Sequence, residues 1–132
     1  TPIAISGYYK YQPGAKFTDK TNTVLENARD TFDIYAVMYE STTETPFLDG
    51  TNIKTHPSIV MMAQLKERKP TDAWTHFSMT FEPVAGRTLD PEKLRKGQYN
   101  LAIVMSSSQG GAFFRGAVGS TLWVDELQLF HE

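Results

Sequence analysis

The pattern that most limits what this chain can become is a two-residue alternation of apolar and polar side chains. It runs through residues 3–12, 32–40, 58–65, 74–82, 98–106 and 121–130, all rich in β-branched and aromatic residues. Clusters of Gly, Pro, Asn, Asp and Thr separate the runs, and Pro13-Gly14 closes the first one as a turn dipeptide. Only residues 91–96 read as helix, with Asp90 as N-cap, Pro91 at the first helical position and Gly97 as the stop. Strands a dozen or more residues apart, without alternating helices, predict an all-β antiparallel two-sheet sandwich of jelly-roll type. The 132 residues suit a single domain, residues 1–132.

Two irregularities refine that picture. In the last run, Leu122 and Val124 share one phase while Leu127 and Leu129 share the other, so a β-bulge is expected around Asp125-Glu126. In residues 32–40 both phases are apolar: Ile34, Ala36 and Met38 alternate with Tyr35, Val37 and Tyr39. That strand is expected to be central, with one face in the core and the other covered. Nothing in the sequence itself shows what covers the second face.

Composition narrows the function classes. Lys and Arg number 13 against 15 Asp and Glu, a net charge of −2, which supplies no basic stripe for nucleic acid. No apolar run is long enough to span a membrane. The absence of Cys removes disulfides, thiolate metal sites and cysteine nucleophiles together.

Catalytic motifs are weak. A glycosidase needs two carboxyls facing one cleft, and Asp125 and Glu126 are neighbours that a regular strand would point to opposite faces. Only the bulge brings them together, and a solvated Glu126 is the plainer expectation. Ser106, Ser107 and Ser108 occur with His76 and Asp125, but no G-x-S-x-G nucleophile elbow accompanies them. His56, His76 and His131 lack metal-ligand spacing. Calcium accepts scattered oxygens, and Asp125 is its best candidate ligand, against the plainer reading that Asp125 bonds backbone amides at the bulge. The Gly-rich residues 109–120 lack the G-K-[ST] ending of a phosphate loop. Arg115 within them is a candidate contact for a carboxylate or hydroxyl, or simply a solvated side chain.

Aromatic residues give the stronger clue. Sugar rings present apolar C–H faces that stack on Trp and Tyr, while their hydroxyls need fixed polar partners. Tyr9, Tyr11, Trp74 with His76 on its phase, and Trp123 are candidates for such a platform, with sandwich packing as the alternative for each.

Four segments also carry a resemblance. Ile5-Ser6-Gly7-Tyr8-Tyr9-Lys10-Tyr11-Gln12-Pro13-Gly14 resembles the L-x-G-Y-Y-K-Y-x-P-G segment of the putative carbohydrate metabolism domain family. Residues 33–40 are similar to its D-I-Y-A-V-x-Y-E, residues 48–53 to its L-D-G-x-N-I, and residues 106–126 to its Ser-rich, Gly-rich ending in V-D-E. The resemblance implies a galactose-binding-like jelly roll in secreted or lipid-anchored surface proteins of gut Bacteroidetes, with a role in carbohydrate binding or processing. It carries no catalytic residues. It also implies that the chain is the C-terminal portion of a longer domain, whose missing part would cover the second face of residues 32–40.

Three functions are therefore in view. The first is a non-catalytic glycan-binding module of an extracellular or cell-surface protein, a lipoprotein included, with a poly- or oligosaccharide and other domains of the same protein as partners. The second is a structural or adhesion module, recognisable by a wholly buried aromatic set. The third is a glycoside hydrolase or lyase, with Asp125, Glu126 or Glu82 among its acids.

Overall fold

A computed structural model describes all residues, 1–132. Nine strands form: β1 (Pro2–Gln12), β2 (Phe17–Thr18), β3 (Asp33–Glu40), β4 (Ile59–Gln64), β5 (Thr71–Thr80), β6 (Glu82–Pro83), β7 (Tyr99–Ser106), β8 (Gly116–Ala117) and β9 (Thr121–His131). The six expected runs are the six long strands, and the short ones are two-residue pairings that alternation cannot reveal. The one α-helix, α1 (Pro91–Arg95), has Asp90 as N-cap, whose side chain accepts the Glu92 backbone N–H at 2.9 Å. Gly97 follows it at φ +69.

All strand pairs are antiparallel. One sheet has the order β5-β1-β9, the facing sheet β6-β4-β3-β7, and β2 and β8 make a small ribbon. The expected sandwich is therefore the fold. Its core lies between the two sheets, where Ile5, Tyr9, Tyr11, Phe77 and Met79 meet Phe32, Ile34, Ala36 and Ala63.

The second face of β3 is also covered, but by this chain itself. Tyr35, Val37 and Tyr39 pack with Ile53 and Leu48 from the long loop between β3 and β4. The missing-segment explanation is thereby corrected: residues 41–58 fold back over the sheet. Asp33, 2% exposed, anchors that loop through an ion pair with Lys54, and pairs also with Arg68, beyond β4, at 3.2 Å. Lys54 also stands 4.6 Å over the Tyr35 ring.

Asp49 shapes the loop tip by accepting the backbone N–H of Thr51 at 2.8 Å and its hydroxyl at 2.5 Å. These bonds, the Thr51 hydroxyl foremost, hold its pKa below the ordinary 3.8. A lowered carboxylate pKa contributes order that is present above the unfolded value and lost as pH falls through the folded one. The Thr51 amide should therefore lose protection, measured against its intrinsic exchange rate, on acidification below the ordinary Asp range. Asp49→Asn should remove that pH response, as hydrogen exchange would register.

A second buried carboxylate organises the opposite edge. Asp30, 4% exposed, accepts from the Ser108 hydroxyl at 2.5 Å, the Ser120 hydroxyl at 2.6 Å and the Ala117 backbone N–H at 3.0 Å. Its other oxygen is buried without a partner. Ser108 is thus one donor in a structural knot, which removes it as a nucleophile paired with His76.

Candidate functional site

The outer face of the β5-β1-β9 sheet collects the exposed aromatic residues. Alternation along β1 turns Ile5, Gly7, Tyr9 and Tyr11 inward and Ser6, Tyr8 and Lys10 outward. The register sets Tyr8 opposite His76 on β5 and Asp125 on β9, and sets Lys10 opposite Trp123. Trp74 lies two residues before His76 and so shares its face. Three strands thereby present Tyr8, Trp74 and Trp123 side by side, with exposures of 38%, 48% and 39%. Tyr8 and His76 meet edge to face, centroids 5.2 Å apart. The Lys10 ammonium stands between the two indoles, 4.7 Å from the Trp74 ring centre and 5.3 Å from that of Trp123. Such cation–π contacts contribute about 0.5–1 kcal/mol each at exposed sites.

The expected bulge borders this platform. Between the Ser6↔Gln128 and Tyr8↔Asp125 pairs, Gly7 on β1 faces two residues on β9, Glu126 and Leu127. Glu126 takes the left-handed conformation, φ 52, and its N–H donates to Asp125 Oδ1 at 2.8 Å. Gly7 is required here, since a Cβ would come within 3.0 Å of the Phe77 ring and 3.1 Å of the Asp125 carbonyl oxygen. The bulge opens a concavity of about 440 Å³ lined by Ser6, Tyr8, His76, Glu126 and Gln128 among others.

His76 also lines a second, larger cleft of about 850 Å³ along the free edge of β5. Phe77 and Met79 contribute to that cleft, as do Lys66, Glu67, Lys69 and Glu82. Its volume falls within the range of small-molecule sites. His76 lines both concavities, and Tyr8 of the platform lines the bulge pocket.

Among the expected site residues, Trp74, His76 and Trp123 come together. Tyr9 and Tyr11 do not join them on the outer face, although Tyr9 lines the cleft along β5. They are 5% and 1% exposed, their rings pack on Phe32, and their hydroxyls donate to the carbonyls of Lys69 (3.2 Å) and Ser107 (2.8 Å). Tyr8, passed over in favour of those two, occupies the exposed phase; Lys10 two residues on was the signal for it. Arg115 lines neither concavity, and its guanidinium lies 5.6 Å over the Phe17 ring beside the β2–β8 ribbon. Asp125 bonds the bulge amide, its plainer expectation. No group of three or more His, Asp or Glu side chains converges to hold a metal ion. A calcium shell at Asp125 would have to draw on backbone carbonyls and water.

No helix is long and apolar enough to cross a membrane. No curated protein matches the chain. Five solved chains do, among them two from Bacteroides. One, a crystal structure of a putative glycoside hydrolase from Bacteroides thetaiotaomicron VPI-5482, is 45% identical with a TM-score of 0.95 over 99% of this chain. The other, a putative glycoside hydrolase from Bacteroides vulgatus ATCC 8482, is 40% identical with a TM-score of 0.86 over 96% of this chain. The chain spans only 38% and 51% of those two proteins. A family model matches residues 1–130, and by that match the chain belongs to the putative carbohydrate metabolism domain family.

Proposed function

We propose that this chain is a non-catalytic glycan-binding module whose contact surface is the outer face of the β5-β1-β9 sheet. One observation carries this reading: Tyr8, Trp74 and Trp123 are exposed side by side on three adjacent strands. A sheet face makes a rigid platform, and large aromatics on it offer apolar area for sugar rings at little entropic cost. His76 and Gln128 supply hydrogen-bonding groups around it, and the bulge pocket and cleft extend the surface for a longer chain. A purely structural role would leave such aromatics buried, and these are not. The same reading puts the protein outside the cell or on its surface, lipid-anchored through another part of the polypeptide. Extracellular polysaccharide and neighbouring domains of the same protein are then its partners.

Trp74→Ala and Trp123→Ala should each weaken glycan binding by about 1–3 kcal/mol, the usual cost of losing a contact aromatic. Both side chains are well exposed, so the thermal midpoint should move little. A glycan array followed by calorimetry checks this, run with calcium and again with a chelator so that an ion at Asp125 would register as lost binding. Unchanged affinity in both variants would sink the platform.

A glycoside hydrolase is the second reading. It is favoured by the exposed carboxylates Asp125 and Glu126 at the bulge beside the platform, and by the likeness to two putative glycoside hydrolases. Release of reducing ends, abolished in Glu126→Gln or Asp125→Asn, would establish it.

A further inference from the structure

Lys10 distinguishes this platform from a merely apolar one. Three lysines, Lys10, Lys54 and Lys93, are only partly exposed. Lys54 pairs with Asp33, and Lys93 with Glu40 at 2.9 Å. Lys10 has no carboxylate within ion-pair distance and is flanked by two indoles instead. A half-buried cation without a counter-ion is a pre-positioned anion contact, because its own partial desolvation strengthens any charge that reaches it.

The register adds the geometry. Trp74 and Trp123 stand on the two strands flanking β1, about 10 Å apart by two strand spacings. That spacing fits sugars one residue apart in an extended chain, with the intervening sugar over Lys10. Asp125 and Glu126, both exposed, lie toward the bulge end of the same face. They repel an anion there and favour its placement at the Lys10 end.

Resting on the glycan-binding reading above, we propose that the ligand is an acidic glycan. Its chain crosses the strands over Trp74 and Trp123, and Lys10 takes the anionic group, a uronate carboxylate or a sulfate ester, of the sugar between them. No bond is made or broken; the ammonium exchanges its indole contacts for a charge-assisted hydrogen bond.

The test uses the whole chain on an array of acidic and neutral glycans, with two pairs of polymers that differ only in charge. Polygalacturonate is compared with its methyl ester, and dextran sulfate with dextran, at low and at high salt. The expected result is positives confined to acidic glycans, affinity that falls with salt, and a loss of about tenfold in Lys10→Met. The carboxylate and sulfate pairs identify which anion is read. Met keeps the stem that packs between the indoles, and circular dichroism establishes that the variant is folded. Neutral glycans binding as well as acidic ones, or Lys10→Met binding normally while Trp74→Ala does not, would overturn the acidic specificity and leave the platform standing. A blank array with the folded protein would overturn both.

Discussion

Asp30→Ala is expected to cost about 3–5 kcal/mol of folding stability, since each hydrogen bond to a charged group contributes about 1.5–3 kcal/mol and more than one is lost. One oxygen of this carboxylate accepts three hydrogen bonds, from Ser108, Ser120 and the Ala117 backbone. The two hydroxyls can turn toward other acceptors, but the buried Ala117 N–H cannot, and an orphaned buried donor costs about 1–3 kcal/mol alone. The knot joins three distant segments: the approach to β3, the end of β7 and the turn before β9. Asp30→Asn keeps the volume and can set its amide oxygen where Oδ2 accepts the three bonds, but it loses the charge that strengthens them and buries an NH2 where Oδ1 has no partner, so it should lose part of the same stability. Urea unfolding at neutral pH is the measurement. A loss below about 1 kcal/mol in the Ala variant would mean that the hydrogen bonds contribute no more than solvent does.

Phe32→Ala is expected to be equally damaging, about 4 kcal/mol, toward the upper end for deleting a buried phenyl ring. Phe32 is fully buried, with the rings of Tyr9 and Tyr11 each 4.8 Å from its own. The cost of such a deletion depends on how far the surroundings can collapse into the cavity. Here they are held back, because both tyrosine hydroxyls are tied to backbone carbonyls at the far ends of their rings. Tyr9→Phe and Tyr11→Phe complete the test. Each should lose about 1 kcal/mol from its hydrogen bond and leave glycan binding unchanged. Weakened binding in either one, with the fold intact, would return that tyrosine to the ligand surface.

Much of the architecture was legible in the chain. Period-two alternation located the six long strands, and Asp90-Pro91 with Gly97 located the helix. The phase break between Val124 and Leu127 located the bulge to within one residue, expected around Asp125-Glu126 and found at Glu126 and Leu127. These features are local: a strand must bury one face, so its side-chain pattern carries the signal wherever its partner lies. The cover over the second face of β3 was not legible, since it depends on Leu48 and Ile53, in a loop without periodicity, meeting a strand far away in sequence.

The site was half legible. The residue types and the shared phase of Trp74 and His76 pointed to a platform, yet both phases of β1 are aromatic. The position of the facing sheet decided that Tyr9 and Tyr11 take the inward phase and Tyr8 the exposed one. The buried carboxylates were invisible for a similar reason. Nothing local separates Asp30 from a solvated loop aspartate, because its donors come from residues 108, 117 and 120.

What the sequence determined by itself was therefore strand identity, strand phase and the place of the bulge, all consequences of a two-residue repeat and short-range turn chemistry. What only the tertiary structure decided was which phase faces water, which carboxylates are buried, and which aromatics stand together. Strand pairing and sheet stacking bring together residues far apart in sequence. The free energy of burial depends on those neighbours, not on the residue alone.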